Sequence, residues 1–207
     1  MEIHPPEGPI RSFKDFILHL SMIAIAVLLA LGAENLAEHV HNRHLVREAK
    51  ENILGEIRDN HNVLQTNLSK LGNNEQELKD VLADLQRVRT DRRVKTPDRS
   101  LNFNMMILND SSWKTAATTG ALGLMSYNDA KDFADDYAVQ ENVNRLSTQL
   151  MDHWLSMTAV NNDPALLSNQ QIDDLMQRVQ LSLSYLLALE NIAKSLDREY
   201  QKRLMQK

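Results

Sequence analysis

The chain has 207 residues, a formal net charge of −5 at pH 7, no cysteine, six glycines and five prolines. The missing cysteines exclude disulfides and thiolate metal centres, and the acidic balance argues against nucleic acid as a partner, because phosphate binding needs a basic field. Leu, Ala, Gln, Asp, Glu, Lys and Arg are plentiful, and no stretch after residue 33 alternates apolar and polar residues long enough for a strand, so the fold class is all-α.

Residues 1–15 form a polar tail, Pro-rich over 1–11, that is expected to be disordered. Residues 16–33, FILHLSMIAIAVLLALGA, are the one long apolar run, with His19 as its single titratable side chain. Eighteen residues at about 1.5 Å rise reach roughly 27 Å, enough for the hydrocarbon core of a bilayer. A cleaved signal peptide is the main alternative, since Ala30-Leu31-Gly32 offers a small-x-small site. A buried soluble helix is the third. The run is longer than the usual signal core, and Leu36, Ala37, Val40, Leu45 and Ala49 keep helical spacing beyond it, which favours an uncleaved transmembrane anchor. Arg11 and Lys14 are the basic residues nearest the membrane, while Glu34 and Glu38 follow it. That asymmetry puts the N-terminus in the cytoplasm and the C-terminal domain outside it. Ala26, Ala30, Ala33 and Ala37 make a stripe of small side chains along the anchor, a face through which two copies could associate.

Residues 34–71 read as a stalk helix that continues the anchor, with Ile53, Ile57, Asn60, Leu64, Leu68 and Leu71 at three- and four-residue spacing and its distal part packing in the bundle. Gly72-Asn73-Asn74 is expected to end it, and residues 72–207 to form an antiparallel up-down helical bundle. Its second helix would span 75–93 and its third would start at Asn109-Asp110-Ser111 and end near Gly120 or Gly123. The fourth would cover 128–160, and the last would open at Asp163-Pro164.

Within that bundle, Trp113, Tyr137 and Trp154 are either core anchors or the lining of a ligand pocket. Arg89, Arg92, Arg93, Lys95 and Arg99 would be carried back toward the membrane by a returning second helix, where they could meet lipid headgroups or an acidic partner. His41 and His44 share a helix face with Glu38 in EHVHNRH, but no further ligand stands at reliable spacing and Arg43 and Arg47 oppose a cation; metal ligation, with His39 nearby, is the weaker reading. Glu38–His41 is a single Glu-x-x-His without the second copy that a di-iron bundle needs. His153 beside Asp152 and Trp154 has no serine partner at a motif position. No catalytic, cofactor-binding or metal site is assigned, and the chain is read as a non-enzyme.

The run DSSWKTAATTGAL over 110–122, followed by Tyr137, resembles uncharacterised bacterial single-pass membrane proteins with an N-terminal anchor and an exported helical domain. The resemblance implies an inner-membrane address and brings no activity with it. The function expected is a membrane-anchored interaction, sensory or scaffold protein with the bilayer, a homo-oligomer and an unidentified protein as partners. A small-ligand-binding sensor module and, third, a metal-dependent enzyme using the His39–His44 region are the alternatives.

Overall fold

The structure, a computed structural model, describes residues 13–97, 103–158 and 164–205. Five α-helices follow one another and no strand occurs among the described residues: α1 (Phe13–Thr90), α2 (Ser111–Thr118), α3 (Ala121–Leu124), α4 (Tyr127–Thr158) and α5 (Asn169–Met205). A 3-10 turn, Pro164–Leu166, precedes α5. Residues 1–12, which hold most of the expected N-terminal tail, lie outside the described residues, and α1 already begins at Phe13. The chain divides into two units, Met1–Glu48 and Ala49–Lys207.

In the first unit the described residues are the start of α1, and its apolar side chains have no protein cover. Ile25 is 57% exposed and Leu29 69%, and Leu36 and Val40 are exposed as well. This helix is long and apolar enough to cross a membrane. In water each such side chain would forgo about 1.5–3 kcal/mol of burial; lipid removes that cost.

The second unit is built on a seven-residue recurrence. Along α1 the buried seam runs through Ile53, Ile57, Asn60, Leu64, Leu71, Asn74, Leu78, Leu85 and Val88, each three, four or seven residues after the last, with Glu56 and Asp84 buried beside it. On α4 the seam runs through Phe133, Asp136, Gln140, Val143, Ser147, Leu150, Trp154 and Met157, with Tyr137 and Leu146 buried beside it. On α5 it runs from Ile172 through Val179, Leu186 and Ala193 to Tyr200, with the same alternation of three and four. A 3.5-residue period keeps one seam facing its neighbours, whereas a straight helix drifts by about 20° per heptad.

That stripe explains the main departure from expectation. The helix does not stop at Gly72-Asn73-Asn74; α1 runs through to Thr90 and absorbs most of the expected second helix. Leu71 and Asn74 are both buried, so ending the helix there would break the seam in the middle. Gly72 is exposed and a methyl group at its Cα would meet nothing, so the glycine costs only its helix propensity, about 1 kcal/mol. Burial outweighs the cap signal.

The consequence is a different topology. Lys50 bonds Asp129, Glu56 meets Tyr137 and Asn60 meets Gln140, so α1 and α4 run parallel. His61 meets Asp197 and Arg89 meets Asp173, while Arg203 reaches Asp132 and Ser182 reaches Met157; α5 is therefore antiparallel to both. Parallel neighbours need a crossover, and residues 103–110 supply it. Phe103 packs at a tilt against Trp154 while Asn109 O accepts from Gln140, so six steps of chain cover fourteen residues of α4. That is about 21 Å, or about 3.5 Å per residue, close to the limit of an extended backbone. Met106 and Leu108 point into the core; Met105 and Ile107 stay exposed.

The helix ends are set by short-range chemistry. The expected third helix is two, broken at Gly120, whose φ of 79° only glycine adopts without strain. Ser126 accepts from Asp129 N at the start of α4. The expected stop at Asn162 and Asp163 lies outside the described residues, and α5 opens later, at a reciprocal capping pair: Ser168 Oγ accepts from Gln171 N while Gln171 Oε1 accepts from Ser168 N.

Candidate functional site

The densest polar assembly lies where α1, α4, α5 and the extended crossover meet. Asn60, on the buried seam of α1, uses its whole amide there. Its Oδ1 accepts from Asn109 N at 2.8 Å, and its Nδ2 donates to Asn109 O at 2.7 Å and to Gln140 Oε1 at 3.1 Å. Gln140, 1% exposed, donates in turn to Asn109 O and Leu108 O and accepts from the Tyr200 hydroxyl. One turn on, Asn144 brackets Leu108, accepting from its N–H at 2.8 Å and donating to its carbonyl at 2.9 Å, and Ser147 Oγ accepts from Met106 N at 2.7 Å. These side chains take the place of a neighbouring strand. A buried extended backbone must pair its N–H and C=O groups, and amide and hydroxyl side chains on helices do that here.

Glu56 closes the same junction. Its Oε2 accepts from Ser112 N at 2.7 Å and Ser111 Oγ at 3.0 Å, and its Oε1 accepts from the Tyr137 hydroxyl. The carboxylate thus caps α2 from a distant helix, whereas Asp110, the expected cap residue, makes no side-chain cap bond. Negative charge at a helix N-terminus is favourable. Burial and the Glu56 hydroxyl acceptor push the Tyr137 phenol well above its ordinary range. Burial, with the nearby Asp136 charge, does the same to Tyr200. Both remain protonated donors. On the α5 side, Asp197 accepts from Gln65, from Gln201 and from the His61 ring at 2.7 Å. Arg203 clamps Asp132 and Asp136, and burial holds the Asp136 carboxyl above the usual aspartate range against the pull of that guanidinium.

Chemically the junction holds groups in place. Each carboxylate oxygen of Glu56 is already bonded to neutral donors that belong to the fold, Ser111 and Ser112 on Oε2 and Tyr137 on Oε1. Sequence reasoning had Asn60 in the α1 stripe but missed its role and those of Glu56, Gln140, Asn144 and Ser147. The readable signal was a polar residue recurring at core positions of an otherwise apolar heptad.

The other expected residues are dispersed. Trp113 stacks on Tyr137 with centroids 5.1 Å apart and planes 14° from parallel, beside the junction. Trp154 lies further along α4 against Phe103, so the three aromatics fall into two separate pairs. Arg89 bonds Asp173, and Arg92 donates to Leu167 O, Pro164 O and Asn169, tying the end of α1 to the start of α5. Arg93 and Lys95 are exposed beside them, and Arg99 lies outside the described residues. Because α1 does not turn at Gly72, the returning helix that would have carried this cluster back does not exist. Ala26, Ala30, Ala33 and Ala37 are exposed on α1. His39, His41 and His44 are exposed, with His44 3.7 Å from Glu48, and His153 stacks on Tyr185. No group of three or more His, Asp or Glu side chains able to hold a metal occurs among the described residues.

Comparison of the chain with family models, with curated proteins and with solved structures gives no match.

Proposed function

We propose that the chain is a single-pass inner-membrane protein of bacterial type whose outer domain, a three-helix coiled coil, works by protein interaction rather than catalysis. The observation that carries this reading is the contrast within α1: exposed apolar side chains from Phe13 to Val40, then a seven-residue seam in which Ile53, Ile57, Leu64, Leu71, Leu78, Leu85 and Val88 are buried. The buried polar groups Glu56, Asn60 and Gln140 are taken up in the junction that holds the fold together. The N-terminus lies in the cytoplasm on this reading, because Arg11 and Lys14 are the basic residues nearest the apolar run. Copies in one membrane associate through the Ala26–Ala37 face, where small side chains allow close backbone approach.

Alkaline carbonate extraction of cell membranes tests the anchor, and a C-terminal alkaline phosphatase fusion tests the side. Retention in the pellet with an active phosphatase is expected. A soluble protein, or a mature N-terminus at Ala33, contradicts the anchor; an inactive phosphatase on a retained protein contradicts the orientation alone.

One atom favours a second reading, a ligand-binding module. Trp154 is 2% exposed and its indole Nε1 has no hydrogen-bond partner among the described residues. A buried donor left unpaired costs about 1–3 kcal/mol, which a bound acceptor would recover. Native mass spectrometry of protein taken from membranes should then show an added mass that Trp154→Phe loses. An unmodified mass removes this reading.

A further inference from the structure

We propose that residues 103–125 form a strap that releases from the three long helices as one unit, and that Glu56 and Asn60 of α1 set its hold. The strap contributes little to the core. Of its side chains only Met106, Leu108, Ala116, Ala121 and Met125 are buried, and two of those are alanine. Its helices are eight and four residues long, far below what stands alone in water. Among the described residues its extended part makes no backbone–backbone hydrogen bond to another segment; its peptide groups are held by Ser147, Asn144, Gln140 and Asn60. The attachment therefore rests on side-chain hydrogen bonds, a few small or aliphatic anchors and the two ring contacts of Phe103 and Trp113, and an element of that kind opens at a lower free energy than the core beneath it.

The long helices behave differently. Leu64, Leu78, Leu150, Leu186 and Leu189 are fully buried, so release of the strap leaves most of the seam in place. What it uncovers is the groove between the parallel helices α1 and α4 that Met106 and Leu108 fill. Two of the holding side chains, Glu56 and Asn60, sit on α1, the helix that also carries the apolar segment. Glu56 bonds to the strap at Ser111 and Ser112 and to α4 at Tyr137, so a shift of α1 against α4 breaks the cap of α2. The strap is thereby a conformational reporter of α1.

Hydrogen exchange read by mass spectrometry on the full chain in detergent micelles tests this. In Glu56→Gln, peptides covering 103–118 should exchange about tenfold faster, the loss expected for a charge-assisted bond, while peptides covering 186–200 keep their wild-type rates. Ser111→Ala removes one bond from the exposed side without touching the core, and its smaller acceleration, about threefold, should be confined to the same peptides. Equal acceleration in 103–118 and 186–200 in either variant overturns the strap as a separate unit. Unchanged exchange at 103–118 in both variants overturns the hold by Glu56.

Discussion

Ile25 and Ile57 stand on the same helix, yet one is 57% exposed and the other fully buried. Around Ile25 apolar residues occupy every face of α1, whereas around Ile57 they gather on one side, Ile53, Leu54, Ile57 and Leu64, with Glu56, Arg58 and Asp59 interposed. The first pattern fits a solvent that is itself apolar on all sides. The second fits a helix with protein on one side and water on the other. One continuous helix thus carries two solvents' worth of sequence, and the boundary between the units falls between Glu48 and Ala49.

The strongest way to break the comparison is a matched pair of truncations. Leu64→Ala, at a fully buried position, should destabilise the domain by about 2–5 kcal/mol in thermal or denaturant unfolding. Ile25→Ala should leave the same transition where it was. A reverse pattern would mean that the exposed segment packs in the domain. The complementary change is a charge: Ile25→Arg should cost about 2.5–3.5 kcal/mol of insertion, read as the inserted fraction in a glycosylation assay.

A smaller effect separates two carboxylates of the domain by pH. The hydrogen bond from Lys50 holds Asp129 below the usual aspartate range, so its contribution to stability is present above the unfolded-state pKa and fades as pH falls through its lowered value. Burial holds Asp136 above that range, so the folded state keeps its proton longer and stability declines as pH rises from the ordinary aspartate value to the raised one. Carboxyl NMR titration of wild type should place the two on opposite sides of a free aspartate. Unfolding of Asp136→Asn should lose the decline.

The smallest effect tests the continuity of α1. At Gly72, in mid-helix and open to solvent, Gly72→Ala should stabilise the domain by about 0.5–1 kcal/mol. If the helix instead turned there in a left-handed cap, alanine would destabilise it.

Much of this was legible in the sequence because it follows from periodicity. The apolar run, the all-helical class and the first part of the α1 stripe came from composition and spacing. What was misread came from local signals that tertiary burial overrides. Gly72-Asn73-Asn74 has good stop chemistry, but Asn74 is a core position, and a cap worth about 1 kcal/mol does not compete with a buried seam. The parallel topology was illegible for the same reason: once the turn was assigned, an antiparallel neighbour followed. The junction was hidden because its parts, Glu56, Asn60, Gln140, Asn144 and Ser147, are common helix residues whose partners lie up to 81 positions away. Only their place in the heptad distinguishes them.

The chain's lack of cysteine makes the central claim directly measurable, since each introduced cysteine is unique. A nitroxide scan along α1 from residue 20 to residue 88 in bilayers, read by oxygen and by water-soluble relaxation agents, tests whether one helix spans both solvents. The account predicts high oxygen and low water accessibility on every face through residue 33, then a 3.5-residue oscillation from Ile53 to Val88 whose phase passes unbroken through Gly72. A phase break at 72–74, or water accessibility along 16–33, would contradict it.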